Sequence, residues 1–418
     1  MSATGILGEP TTCASDPSPA RAASPLSHRS KVLIGALLLT LAQVVMVSLA
    51  GGYRGLHQWD SNWYARIAAE GYPEDLPRER ERMAEVGFFP GYPLAVRAVA
   101  QLTGLPVETA TLVAAQLAAC GVWVYVLLFL RRGRTPAPLA AAAVLLLVAH
   151  PSAFFLAAGY SESLFLCATL GFLYWSSAGG RSGWLLAALY GIVMTATRIV
   201  GLPLAMVPLL LAVVTLVRGE RRWGDVIRAG LLGGVASLGG LLFFAFCQWR
   251  YGRWDTYMYA QVAGWGVAPD YLALLRSSAY RPGLPLLLPE GALNPNTLSQ
   301  WVVPLTVLLF GGLLLTELRL GRGTPSDGKR ERVGLFLAAF VMFYIAASGT
   351  AFSGFIGLLR YSYCAHVALV LAAAHLLGRV PATRERPWRE LFVLVPAVPS
   401  AVVQLMLVWQ FTHGEWVA

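Results

Sequence analysis

An aspartate set among aromatic residues is the first feature of this sequence that could do chemistry. Residues 57–67 have the sequence HQWDSNWYARI, in which Asp60 is flanked by Trp59 and followed closely by Tyr64. Aromatic side chains favour a membrane–water interface, whereas a carboxylate gains nothing from it. A partly desolvated carboxylate accepts protons better near neutral pH, so Asp60 is a candidate general base, with Trp59 and Tyr64 as substrate contacts. The alternative is that Asp60 only caps the helix that follows it.

Three further charges interrupt apolar stretches, namely Glu162, Arg198 and Arg360. A charge at the centre of a membrane span costs about 2.5–3.5 kcal/mol, so it tends to be retained for a function. A guanidinium binds phosphate oxygens in a fork, which makes Arg198 and Arg360 candidates for a phosphate site. Glu162 and nearby Tyr160 lie in a polar segment and are candidate substrate contacts. The alternative is a snorkelling arginine, or a buried Glu–Arg pair that only aligns helices.

The pattern W-D-[ST]-x-x-Y-A occurs at residues 59–65 and again at residues 254–260. Trp254 and Asp255 are therefore candidates for a second wall of the same site, although chance and interfacial aromatic residues also explain the repeat. Between the two copies, residues 88–94 (FFPGYPL) combine aromatic residues with two prolines. Such a stiff segment could line a groove for an isoprenoid tail or form a plain interfacial anchor.

The histidines and cysteines favour no metal site. There is no HxxxH or HExxH pattern, and the five cysteines contain no CxxC pair. We therefore predict no protein-bound metal and no certain cofactor, while a divalent cation shared between Asp60 and a lipid phosphate stays open. The lack of a P-loop, a glycine-rich phosphate loop or a GxSxG motif disfavours a soluble nucleotide-sugar enzyme.

The composition predicts an all-α membrane protein. Of 418 residues, 56% are hydrophobic and 13% are charged, against roughly 25% charged in soluble domains. The net charge of +10 is spread over short loops, which argues against a nucleic-acid partner. Residues 88–104 are predicted to form an interfacial helix in the first extracytoplasmic loop. The rest forms a helical bundle of about 11 transmembrane helices, in the runs 32–52, 109–130, 137–161, 163–180, 182–197, 199–217, 229–249, 291–316, 333–359, 361–378 and 391–414.

The distribution of positive charge predicts the orientation of these spans. With the N-terminus in the cytoplasm, 20 of the 32 Lys and Arg residues fall inside, as the positive-inside rule requires. The long loops 53–106 and 250–297 then lie outside with the three interrupting charges, so the active face is predicted to be extracytoplasmic, in the plasma membrane. Residues 1–30 are predicted to be a disordered cytoplasmic tail, and residues 31–418 a single transmembrane domain.

Taken together, these motifs resemble the PIG-V family of polytopic mannosyltransferases. The matching pieces are WDSNWYARIAAEGY, FFPGYPL, HPSAFFLAAGYSESLF and TATRIVGL, in that order over about residues 57–201, with LRY at residues 359–361. The resemblance leads us to expect a larger apolar residue at position 91, where this sequence has Gly91 instead. The resemblance implies a GT-C-like fold and a sugar donor carried on polyprenyl or dolichyl phosphate. It also implies an acidic base in the first outer loop, which here is Asp60.

The mechanism implied by the resemblance is a single displacement with inversion. Asp60 takes a proton from an acceptor hydroxyl, and Arg198 or Arg360 stabilises the departing polyprenyl phosphate, while Glu162 holds the acceptor or orients an arginine. The partners would be a polyprenyl-phosphate sugar donor, with mannose favoured, and a lipid or glycan acceptor. Two other classes remain, a lipid or sugar transporter or flippase, which would favour broken helices near the midplane, and a noncatalytic assembly partner.

Overall fold

The computed structural model describes residues 27–76, 85–220, 222–281, 283–320, 328–378 and 388–417. Within these ranges the regular elements are helices, and no strand forms. Most of the predicted tail, residues 1–26, lies outside the described residues, and the first helix already begins at His28. The α-helices are α1 (His28–Gly51), α2 (Asp60–Glu70), α3 (Gly91–Thr103), α4 (Val107–Arg132), α5 (Ala137–Val148), α6 (Glu162–Ala178), α7 (Gly180–Thr197), α8 (Gly201–Ala205), α9 (Val207–Val217), α10 (Trp223–Tyr251), α11 (Thr256–Trp265), α12 (Pro295–Leu320), α13 (Lys329–Thr350), α14 (Leu358–Leu377) and α15 (Trp388–Thr412).

Each of the eleven predicted apolar runs overlaps one of these helices or, for residues 199–217, the pair α8 and α9. Within the described ranges, six helices are long and apolar enough to cross a membrane, namely α1, α4, α10, α12, α13 and α15. Their large aliphatic side chains also point outward, as Leu41 and Leu49 of α1 do. Hydrocarbon rather than water suits such a surface, so the chain is a multi-pass, all-helical membrane protein.

The two ends of the described chain lie at opposite ends of the bundle. Gly51, the last residue of α1, packs so closely against Thr412, the last residue of α15, that an added Cβ would come within 2.1 Å of the threonine hydroxyl. The first turn of α1, at His28, is one helix length away, about 36 Å for 24 residues. An odd number of crossings, such as the predicted eleven, gives this arrangement.

The predicted span 137–161 is helical only in its first half, because α5 ends at Val148. Pro151 has no amide hydrogen and disfavours helical geometry at His150, so the helix stops there. The chain continues as a buried 3-10 turn, Ala153–Leu156. Buried irregular backbone needs partners inside the protein, and Gln43 supplies one by donating a 2.5 Å hydrogen bond to the carbonyl of Ala153.

The first long loop contains two short helices, α2 and α3, and not only the predicted interfacial one. Helix α3 is amphipathic, with Tyr92 and Val96 buried while Leu94 and Leu102 are exposed, as expected for a helix lying at an interface. The ring of Tyr64 in α2 packs edge-on against Tyr92, with 4.8 Å between the ring centroids. This contact fixes α2 over the end of the bundle.

Candidate functional site

Four charged side chains meet at one end of the bundle. The Nη1 atom of Arg360 lies 2.7 Å from Oδ2 of Asp60, and its Nε atom lies 2.5 Å from Oε1 of Glu162. The Nη1 atom of Arg198 lies 2.7 Å from the same Glu162 oxygen. These residues, which we call the charge cluster, form an unbroken line Asp60–Arg360–Glu162–Arg198 with equal numbers of positive and negative groups.

Helix ends place three members of the charge cluster. Asp60 is the first residue of α2 and Glu162 the first residue of α6, where the helix dipole favours a carboxylate. Arg198 follows the last residue of α7, where the dipole favours a cation. Arg360 lies near the start of α14, where the dipole disfavours a cation, so its position depends on the two carboxylates that contact it.

Burial divides the charge cluster into an interior and a rim. The side chains of Glu162 and Arg360 are 1% and 4% exposed, whereas those of Asp60 and Arg198 are 26% and 21% exposed. Glu162 and Arg360 form a buried ion pair, and such a pair is strongly destabilising when one partner is removed and the other charge stays buried. Asp60 and Arg198 are therefore the members most open to an incoming substrate, and a ligand that binds Arg360 must first displace its contact with Asp60 at the rim.

Aromatic rings surround the two guanidiniums. The guanidinium carbon of Arg360 lies 4.3 Å from the ring centroid of Tyr160, 5.1 Å from that of Tyr361 and 5.4 Å from that of Phe155. Arg198 lies 5.0 Å from the centroid of Tyr361. Cation–π attraction favours the charged form of both arginines. Tyr160 was predicted as a site residue, whereas Phe155 and Tyr361 were not, although Tyr361 directly follows Arg360.

Tyr64 and Trp59 occupy different positions around Asp60. The hydroxyl of buried Tyr64 donates a 2.8 Å hydrogen bond to Oγ of Ser161, which also receives a 3.5 Å contact from Arg198. Trp59 is 42% exposed and adopts a positive φ of 51°, an uncommon conformation for a residue with a side chain. Its indole N–H donates to the carbonyl of Glu415 at 3.3 Å, so the end of the described chain supports the segment before Asp60.

Asp60 does not act as a helix cap. The residue before α2 is Trp59, which makes no side-chain cap, and the carboxylate of Asp60 turns toward Arg360. The sequence left two interpretations of Asp60, a candidate general base and a helix cap, and the geometry favours the first.

The structure does not bring Trp254 and Asp255 into the charge cluster. Asp255 lies directly before α11, and Asp60 is likewise at the start of its helix, α2. The two carboxylate oxygens of Asp255, however, accept 2.9 Å hydrogen bonds from Nε and Nη2 of Arg253. These bonds lower the pKa of Asp255. Trp254 is exposed and packs edge-on against Phe244. The repeated pattern therefore gives similar local structure, and the substrate contacts expected of its second copy stay a prediction.

The ligand set does not fit a divalent cation held by the protein. Among the described residues, no group of three or more His, Cys, Asp or Glu side chains comes close enough to hold a metal ion. The guanidinium of Arg360 already faces both carboxylates where a cation would bind. His57 faces Thr111 and Asn62 instead, and burial lowers its pKa. Positive charge at this site is thus supplied by arginines.

The packing around Gly91 explains why a glycine stands where the family resemblance led us to expect a larger apolar residue. A Cβ atom at this position would lie 2.7 Å from the hydroxyl oxygen of Thr197 and 2.8 Å from the carbonyl of Ala196. The start of α3 therefore packs directly on the last turn of α7, one residue before Arg198. Only glycine permits this approach.

We expect Gly91→Ala to destabilise the protein by about 1–3 kcal/mol, because backbone atoms must move to admit the methyl group. The thermal unfolding midpoint of the detergent-solubilised protein measures this. Gly234→Ala is the matched control, because an added Cβ there meets nothing within 4 Å in the part of the chain that the structure describes, and alanine favours the helix. Equal midpoints for Gly91→Ala and the wild type would contradict the packing argument.

The sequence matches a known protein family, although no curated protein sequence matches it. A sequence model of the family described as Mannosyltransferase (PIG-V) matches residues 22–267. The match includes Asp60, Glu162 and Arg198 and ends before Arg360.

The fold is similar to those of solved GT-C glycosyltransferases. ArnT from Cupriavidus metallidurans bound to undecaprenyl phosphate aligns with a TM-score of 0.54 at 15% identity, over 93% of this chain and 78% of that one. The apo oligosaccharyltransferase from Archaeoglobus fulgidus aligns with a TM-score of 0.53 at 13% identity, over 93% of this chain. This chain spans 56% of the length of that archaeal protein. These similarities confirm the predicted GT-C-like helical fold.

Proposed function

The chain belongs to the PIG-V family of mannosyltransferases and is a membrane glycosyltransferase, and we propose that its charge cluster transfers mannose from a polyprenyl-phosphate donor to an acceptor hydroxyl. The family membership confirms the resemblance found in the sequence motifs. The observation that carries the proposal is a partly exposed carboxylate, Asp60, 2.7 Å from the buried guanidinium of Arg360. One group can accept a proton and its neighbour can hold a phosphate.

In this mechanism Asp60 takes the proton of the acceptor hydroxyl as the hydroxyl oxygen attacks the anomeric carbon of the sugar. The bond between that carbon and the phosphate oxygen breaks, and polyprenyl phosphate leaves with the electron pair. Arg360 and Arg198 hold the phosphate as its charge grows. Attack on the face opposite the leaving group inverts the anomeric configuration.

Burial favours one of the two roles that the sequence left open for Glu162. A single oxygen, Oε1, contacts both Arg198 and Arg360, and the side chain is 1% exposed. Such a group is better placed to orient the two guanidiniums than to bind an acceptor from solution. We therefore assign Glu162 to holding the arginines at the spacing that a phosphate requires.

The lipid donor and the orientation belong to the same proposal. ArnT was solved with undecaprenyl phosphate, a lipid of this class. A second Archaeoglobus fulgidus oligosaccharyltransferase structure, AglB, was solved with another such lipid, a dolichol-phosphate. It aligns with a TM-score of 0.50 at 11% identity, over 91% of this chain and 56% of that one. The Lys and Arg distribution supports a cytoplasmic N-terminus and an extracytoplasmic charge cluster in the plasma membrane. The acceptor is then a lipid or glycan hydroxyl on that face.

Membrane vesicles that contain the protein and their endogenous acceptors test the proposal. Polyprenyl-phosphate mannose labelled in the sugar should give a labelled glycoside, and labelled GDP-mannose should give none when synthesis of the lipid-linked donor is blocked. Label that crosses the membrane without a new glycosidic bond would indicate a flippase. Transfer from GDP-mannose under the block would contradict the proposed donor.

A further inference from the structure

We propose that a partly buried hydrogen-bonded chain, Thr306–His366–His150–Ser152, positions Arg360 by holding the peptide group that precedes it. The Nε2 atom of His150 lies 2.9 Å from Nδ1 of His366, and Nε2 of His366 lies 2.8 Å from Oγ1 of Thr306. At the other end, the hydroxyl of Ser152 donates a 2.8 Å hydrogen bond to the carbonyl oxygen of Leu359. This carbonyl belongs to the peptide bond between Leu359 and Arg360.

The protons in this chain have only one arrangement. The backbone N–H of Ser152 can only donate, and it lies 3.1 Å from Nδ1 of His150. His150 therefore accepts through Nδ1 and carries its proton on Nε2, which donates to Nδ1 of His366. His366 then carries its own proton on Nε2 and donates it to the hydroxyl of Thr306. Both imidazoles are neutral, and neither can rotate without losing two bonds.

The start of α14 is held at Leu359 from several directions. Its N–H donates to Oγ of Ser299 in α12 at 3.3 Å, and its carbonyl also accepts from the hydroxyl of Ser362 at 3.0 Å. The three serines that contact Leu359, including Ser152, are buried. Buried polar groups cost free energy when unpaired, so the full set of bonds strongly favours one backbone position.

Position matters at this residue because Arg360 must present fixed nitrogens to Glu162, Asp60 and an incoming phosphate. An error of about 1 Å in such a group can cost about 100-fold in rate. The histidine chain connects α12, α14 and the turn after α5 to this one peptide, and nothing else in the proposed mechanism uses it. We assign it to positioning, an inference that rests on the proposed role of Arg360 at the donor phosphate.

The test measures the Kd of the purified protein for polyprenyl phosphate. Ser152→Ala should raise the Kd about fivefold with unchanged binding stoichiometry, the equivalent of one neutral hydrogen bond. Thr306→Val, an isosteric change at the far end of the chain, should shift the Kd less in the same direction. Ser237→Ala is the control, because the hydrogen bond of buried Ser237 lies within α10, to the carbonyl of Gly233, and its Kd should equal that of the wild type.

A double-mutant cycle separates this inference from the proposed function. Adding Ser152→Ala to Arg360→Gln should change the Kd no further, because the positioned group is gone. An equal additional loss in both backgrounds would overturn the positioning role, as would a lower stoichiometry at unchanged Kd, which indicates partial unfolding. If Arg360→Gln itself binds polyprenyl phosphate as tightly as the wild type, the proposed phosphate site fails as well.

Discussion

Asp60→Asn is expected to lower sugar transfer by about 10²–10⁴-fold while leaving the binding of polyprenyl phosphate equal or tighter. Asparagine has nearly the same shape and can still accept a hydrogen bond from Arg360, but it cannot take a proton. The charge cluster then carries one net positive charge, which favours an anionic ligand. The rate of transfer in vesicles and the Kd for polyprenyl phosphate measure the two effects separately.

The opposite signs of these effects distinguish a base from a binding residue. A loss of transfer that comes entirely from weaker binding would rule out Asp60 as the proton acceptor, and so would full transfer. Asp255→Asn is the matched control, because Asp255 stands in the same W-D-[ST] pattern but pairs with Arg253 at the surface. We expect its transfer rate to stay within about twofold of the wild type. A large loss there would instead support the second wall predicted from the sequence.

Arg360→Lys is expected to reduce transfer by about 100-fold or more and to lower the thermal unfolding midpoint, although it conserves the charge. The guanidinium contacts Asp60 and Glu162 through two different nitrogens. An ammonium group is a single point of charge and cannot reproduce this fork, so it satisfies one carboxylate at the expense of the other. Breaking a buried ion pair costs about 3–5 kcal/mol when a partner is left uncompensated, and part of that cost applies here.

Arg253→Lys provides the comparison for this substitution. Arg253 also uses two nitrogens on a carboxylate, that of Asp255, but at an exposed position. Exposed pairs contribute about 0–1 kcal/mol, so neither stability nor transfer should change measurably. If both lysine variants behave like the wild type, the fork of Arg360 has no role in the site.

The sequence predicts which end of the bundle the site occupies but not its contacts. Counting apolar runs places Glu162, Arg198 and Arg360 at turns on one side, and the structure brings all three together. The bond from Asp60 to Arg360 joins residues 300 positions apart. Membrane helices are apolar all round and lack a polar stripe, so hydropathy does not reveal which helices are neighbours.

The sequence also misjudges where backbone is regular. The run 137–161 is uncharged throughout, which predicts one span, yet the helix stops near Pro151 and a turn carries Phe155 and Tyr160 to the guanidinium of Arg360. The proline was the available signal. The two copies of the W-D pattern show a related limit. Local sequence sets the start of a helix at both, but the partner of each aspartate differs, Arg360 for Asp60 and Arg253 for Asp255.

The sharing of Arg360 between two carboxylates has a kinetic consequence. While its Nη1 atom contacts Asp60, a lone pair of that carboxylate is occupied and cannot meet a hydroxyl. A phosphate that binds the guanidinium competes for the same hydrogen and frees this lone pair, so under the proposed mechanism we expect the donor lipid to add before the acceptor. In that order the spent lipid would depart last, and we expect it to inhibit as a competitor of the donor but not of the acceptor.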